Sequence, residues 1–319
     1  MRFYFTVLMV LCLFFSCSDK NKTKIDVSNI NVEFSIKRYD VDFYNSSKET
    51  LPNVKKKYPY LFPDSFPDSL AIAKINSKDE QELFAETQKV FENISDLKNK
   101  LTSLFKHIKY YKSDFKAPNV VTMLTNIDYE NRVIYADSLL LISLDVYLGK
   151  KHVFYADYPK YIKENNSKAN IIVDVANTII DQQVLINKDR SFIGKIINEG
   201  KKLYLLDLFL PLVSDHIKIG YEQTKLDWAI INEEQIWKYF IDKKLLFSTD
   251  TKLNKRFIDN GPFSKFYLSE DSLSPGRIGV WLGWQIVKSY MKHNDVSLQE
   301  LIKIESEDLF RKSKYKPKK

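Results

Sequence analysis

The sequence predicts an α+β domain that is predominantly α-helical, a small sheet packed with several helices. Three observations predict it. Apolar side chains recur at helical spacing through Phe84, Phe91, Ile94, Leu97, Leu101, Leu104 and Ile108, a stripe that a helix turns to one side. Helical patterning returns over residues 169–185 and 192–209. Between these blocks, residues 119–124 and 132–148 are rich in Val, Ile, Leu and Tyr, the composition of strands.

The chain begins with Arg2, an apolar run over residues 3–15, and then Ser16-Cys17. One positive charge before a short apolar core fits a secretory signal, and the run is shorter than the ~20 residues a membrane-spanning helix needs. A small residue before a cysteine, with a polar stretch after it, resembles a bacterial lipobox, although Phe14 stands where leucine is usual. Residues 1–16 are expected to be a lipoprotein signal peptide, Cys17 the lipidated residue and 17–30 a tether. An ordinary cleaved signal with a chance cysteine is the alternative. Cys12 and Cys17 are the only cysteines, so the mature domain would have neither a disulfide framework nor a thiolate metal site.

A single domain is expected over residues 31–311, with helices and a small sheet in 31–150 and a helical part in 151–311. The alternation of Val32, Phe34 and Ile36 suggests a strand within 31–44. Prolines 52, 59, 63 and 67 punctuate an aromatic stretch, read as an irregular segment pinned by its rings. Ser77 and Glu80 have capping-box spacing ahead of one long helix, or of a pair broken near Asn93. Turn chemistry at 126–131 separates two or three strands, and Pro211 closes the 192–209 helix. Thr224 and Asp227 repeat the capping spacing. Ser274-Pro275 reads as a cap and first helical residue for a helix over 276–293, and Ser297 with Glu300 starts a last short one. Residues 312–319 form a basic tail, expected to be solvated and disordered.

The chain has 319 residues and a net charge of +8, with 44% hydrophobic and 14% aromatic residues, ample for a packed core. Its basic residues are mostly lysines spread among acidic ones, a solvated surface rather than a nucleic-acid footprint. No cofactor is expected.

Residues 274–287 are the most unusual stretch. Gly276, Gly279 and Gly283 fall on one helix face beside Trp281 and Trp284. Glycine inside a helix costs about 1 kcal/mol relative to alanine, and close approach of another backbone is the usual compensation. A buried packing helix is favoured over a ligand groove lined by tryptophan and glycine. This stretch, Ser274-Pro275-Gly276-Arg277 through Val287, resembles the signature of the gliding-motility lipoprotein B (GldB) family of Bacteroidetes-type bacteria. Ile36-Lys37-Arg38-Tyr39-Asp40 with Phe43, Tyr58-Pro59 with Phe62, and Trp228, Glu233, Trp237 and Leu245-Leu246-Phe247 resemble further family segments. The resemblance implies an outer-membrane lipoprotein, anchored through Cys17 and facing the periplasm, needed for gliding and by association for type IX secretion. Its partners would be other gliding and secretion proteins of the cell envelope.

The family is also similar in layout to zinc-peptidase-like domains, which implies a zincin-like arrangement of the sheet and helices. The zinc chemistry needs two histidines one turn apart and a glutamate base. The helix over 169–185 has no histidine, and His107, His152, His216 and His293 are never one turn apart. Glu199 stands where a third ligand would be expected, and Asp174, Asn177 and Asp181 share one face, read as the wet side or a relic of a site. There is no G-x-S-x-G elbow, glycine-rich phosphate loop or C-x-x-C. These observations weigh against catalysis. The expected role is an assembly or stability factor acting through protein contacts, with Trp228, Trp237, Tyr239 and residues 58–62 as contact candidates that could equally be core. A divergent envelope metallohydrolase using Glu199 and a cell-wall glycan binding module are the alternatives.

Overall fold

The sheet forms around two strands that are rich in buried apolar residues. The structure, a computed structural model, describes residues 25–136, 138–183 and 189–318. Four strands, β1 (Ile36–Arg38), β2 (Asn119–Met123), β3 (Val133–Ala136) and β4 (Leu139–Ser143), lie in the order β1-β2-β4-β3. β2 is parallel to both neighbours, with Val120 opposite Ile36 and Leu140, and β3 and β4 form a hairpin. Successive strand residues point to opposite faces. Val120, Val121 and Thr122 are all buried, so β2 is covered on both sides, as its apolar composition requires.

The expected strand over 31–44 stops at Arg38, where α1 (Tyr39–Tyr44) begins. The fully buried carboxylate of Asp40 explains the change. It takes a forked pair from Arg38 (Nε at 3.0 Å, Nη2 at 2.6 Å), the Thr122 hydroxyl and the Gln88 amide. Arg38 Nη1 donates to the Phe91 carbonyl. One network of charge-assisted bonds thereby ties β1, α1 and β2 to the helices beyond. The aromatic stretch read as irregular holds only a single 3-10 turn (Pro59–Leu61) and lies between α2 (Leu51–Lys57), with Pro52 in its first turn, and α3 (Asp68–Ile75). Tyr58 is fully buried and bonded to Asp42, whereas Tyr60 is 42% exposed.

The long helical pattern is a pair, α4 (Lys78–Phe91) and α5 (Ser95–Tyr111). Ser77 is the N-cap of α4, but the Glu80 carboxylate turns away to Tyr44. After the sheet come α6 (Lys160–Lys163), α7 (Lys168–Gln183), α8 (Phe192–Phe209), α9 (Asp215–Ile219), α10 (Gln223–Ile231), α11 (Glu233–Asp242) and α12 (Lys252–Phe257). The last three are α13 (Ile278–His293), α14 (Leu298–Lys303) and α15 (Ser306–Lys312). The capping box expected at Ser297 and Glu300 forms in full. The one expected at Thr224 does not, because α10 starts two residues earlier, at Gln223 with Glu222 in the cap position, and Asp227 accepts from Gln223.

α8 and α13 form the centre of the helical half. A Cβ on Gly283 would collide with the Ile196 carbonyl, and one on Gly200 with the backbone of Gly283. These glycines let two backbones touch, and Trp281 and Trp284 are buried beside the crossing. The basic tail is not free. Ser313 is fully buried, its carbonyl accepts from Ser289, and the Tyr315 hydroxyl donates to Glu233. Among the described residues no helix is long and apolar enough to cross a membrane.

Candidate functional site

A cleft of about 500 Å³ opens where α13 begins. Its walls come from residues 159–165, 219–225, 260–263 and 272–277, four separate stretches of the chain. The loop between α12 and α13 supplies two of them, and its own residues hold it. Arg256 donates to the Lys265 carbonyl and the Tyr239 hydroxyl, with its guanidinium 4.4 Å from the Tyr267 ring centre. Asp271 accepts from the amides of Tyr267 and Leu268.

Ser274 was expected to cap the helix and Pro275 to open it, yet α13 starts at Ile278. Gly276 lies so close to Gly261 that a Cβ would strike the Gly261 carbonyl. The chain must pass that contact before it can coil. Ser274 and Ser264, both fully buried, bond to one another, and the Ser264 hydroxyl accepts the Ile278 amide at 3.1 Å. The residue in the N-cap position is Arg277, in the left-handed region at φ 58°. That conformation costs an L-residue roughly 1–2 kcal/mol.

The facing wall is fixed from below. Asp207 on α8 accepts from Lys218 at 2.8 Å and from the Trp284 indole at 3.0 Å. Lys288 lies 3.5 Å from the Trp284 ring centre and bonds to Asp215 at 3.0 Å. Burial alone would raise the Asp215 carboxyl, but Lys288 and Lys218 hold it below the usual range. This group clamps α9 to α8 and α13 and so places Ile219 and the left-handed Gly220. Tyr221 closes the floor by donating to the Gly276 carbonyl at 2.7 Å.

The charges lining the cleft do not cancel. Glu222 pairs with Lys160 at 2.6 Å, and Glu164 with Lys150 at 2.5 Å. Lys225 donates to three carbonyls, Ser272, Leu273 and Ser274, and to no carboxylate among the described residues. Burial lowers its pKa. Arg277 donates to the Ile219 carbonyl at 3.3 Å and, among the described residues, has no carboxylate partner. Both cations thus face the cleft without a bonded carboxylate among the described residues, although the charge of Glu222 reaches Lys225. The loop that supplies two of the walls also exposes Tyr267 (75%), Leu268 (58%) and Leu273 (56%).

Of the residues singled out in the sequence as site candidates, only Gly276 and Arg277 reach this cleft. Gly279, Gly283, Trp281 and Trp284 belong to the α8–α13 core. Trp228 is half-buried against the core, and Trp237 is covered by Phe310 and Tyr315. Tyr239 bonds to the Phe266 carbonyl. Glu199 and Asp181 share the ammonium of Lys202, at 3.1 and 2.9 Å. Asp174 turns instead to the Tyr147 hydroxyl at 2.8 Å, with Arg132 at 3.8 Å, and Asn177 is half-buried on the same helix. Among the described residues no group of three His, Cys, Asp or Glu side chains is placed to hold a metal. Cys17 lies outside the described residues.

Sequence reasoning missed a second polar centre. Asp145, fully buried, accepts from the amides of Thr125 and Ile127 through Oδ2, while its Oδ1 has no partner among the described residues. Asn126 and Ile127 are both left-handed, an uncommon conformation for a β-branched residue. Burial pushes the Asp145 carboxyl up to about 6 against the opposing pull of its amide bonds.

A family model for the gliding motility protein GldB matches residues 20–317. The chain belongs to the GldB family. The matched residues include the sheet, the α8–α13 core and every wall of the cleft. No curated protein and no solved structure matches the chain.

Proposed function

We propose that this GldB-family chain is a lipid-anchored protein of the outer membrane, facing the periplasm, that supports the gliding and type IX secretion machinery without catalysis. It does so by holding a partner of that machinery at the cleft. The observation that carries the reading is the cleft itself: about 500 Å³, lined by Pro275–Arg277, with Arg277 bonded to no carboxylate among the described residues, and with exposed apolar side chains in the loop that supplies two of its walls. Pockets of 300–1,000 Å³ are typical of binding sites, and apolar residues clustered on a surface mark places of contact. The anchor is Cys17, at the end of the apolar leader.

Replacing Leu268 and Leu273 together with serine tests this. Both are exposed, so the change falls in the class of surface substitutions worth about ±0.5 kcal/mol each. Cells carrying the double variant at normal protein level are expected to lose gliding. Normal gliding would count against a partner site that includes this loop.

A further inference from the structure

We infer that the cleft receives an extended polypeptide segment bearing a carboxylate, which pairs with the guanidinium of Arg277. The inference rests on the cleft being a partner site and adds the chemistry of what enters it. Glu222 and Glu164 are already paired with lysines, and the Glu222 charge also reaches Lys225, whereas Arg277 bonds only to a carbonyl among the described residues. Carbonyl dipoles orient such cations but do not cancel their charge. An anion is therefore the occupant that balances the site. A guanidinium has five donors in a planar fork, and one of them is used here, on Ile219. The fork matches a carboxylate in a bidentate pair.

Two features favour a peptide over a bare phosphate. The walls include Pro159, Tyr161, Tyr221, Pro262 and Phe263, surfaces that suit side chains and a backbone better than a hydrated oxyanion. The first amide of α13 is already capped by Ser264, so this helix start does not offer a full set of free amides for phosphate. The carboxylate can come from an acidic side chain or from a chain terminus, and the test separates these.

The experiment uses the purified full chain in detergent and three probes. They are acetyl-Gly-Phe-Asp-Phe-Gly-amide, its Asn counterpart, and acetyl-Gly-Phe-Gly with a free carboxylate. One of the two carboxylate peptides is expected to bind at least about tenfold tighter than the Asn peptide, and which one identifies the source. Arg277→Gly should abolish that preference while the melting temperature stays level or rises, because glycine adopts the left-handed backbone freely. Arg277→Asn, which tolerates the same backbone, should behave alike and stands in should the glycine variant not fold. Equal binding of Asp and Asn peptides, with no tighter binding of the free-carboxylate peptide, overturns the inference, as does a preference that survives in both variants. A melting temperature lowered in both variants would make Arg277 structural and overturn it too. Inorganic phosphate binding with no peptide binding reassigns the cleft to phosphate. Cells that need Leu268 and Leu273 for gliding, with peptides that bind indifferently, would leave the partner site standing and remove only its carboxylate chemistry.

Discussion

At the scale of single residues, Asp145 and Arg277 each hold a charge where the fold could manage without one. Asp145 leaves one carboxyl oxygen without a partner among the described residues, and its pKa rises from 3.8 to about 6. Between these two values the folded chain binds more protons than the unfolded one. Asp145 therefore lowers stability as pH rises through about 4 to 6, and the loss is complete above that window. At about 1.4 kcal/mol per pKa unit, the ionised side chain destabilises the fold by on the order of 2–3 kcal/mol. Asp145→Asn keeps an acceptor for the Thr125 and Ile127 amides but does not titrate. The urea midpoint of the variant relative to the parent should therefore be higher at about pH 7 than at about pH 4. An unchanged difference would show that Asp145 does not titrate in that window. Neither residue's setting was legible in the sequence. Asp145 sits in an apolar run that reads as strand, and nothing in Asn126-Ile127 announces two left-handed residues. Arg277 was singled out, but only as part of a signature.

At the scale of elements, the α8–α13 crossing organises the helical half. Its glycines on α13, Gly279 and Gly283, were readable because small residues on one face of an apolar helix open a path for a second backbone, whereas Gly276 lies before the helix and packs on Gly261. Gly283→Ala should destabilise by about 3 kcal/mol or more, at or above the usual range for overpacking, because its Cβ meets the Ile196 carbonyl rather than a movable side chain. Denaturant unfolding checks this, and a cost under about 1 kcal/mol would mean that the helices can separate freely. The start of α13 was misread for a reason outside the helix. Ser274 and Pro275 have the right chemistry for a helix start, but the Gly261–Gly276 contact delays the turn and Ser264 becomes the cap. The capping signal at Ser297 succeeded because every group in that box is local. The tail was misread because Tyr315 is fixed by Glu233 and Trp237, some eighty positions earlier. Local chemistry was legible, and long-range partners were not.

At the scale of the whole molecule, the cleft could not have been read in advance, since its walls are brought together by the Asp207 cluster and the loop before α13. The central claim is that this cleft holds a partner from the motility machinery. The most direct measurement places a photo-cross-linking phenylalanine analogue at Phe263, a wall residue, in gliding cells, with exposed Tyr110 on α5 as the control position. An adduct at Phe263 with another gliding or secretion protein of the envelope is expected, absent at Tyr110 and lost in Arg277→Gly. Cells that glide normally and give no adduct at Phe263 would contradict that claim.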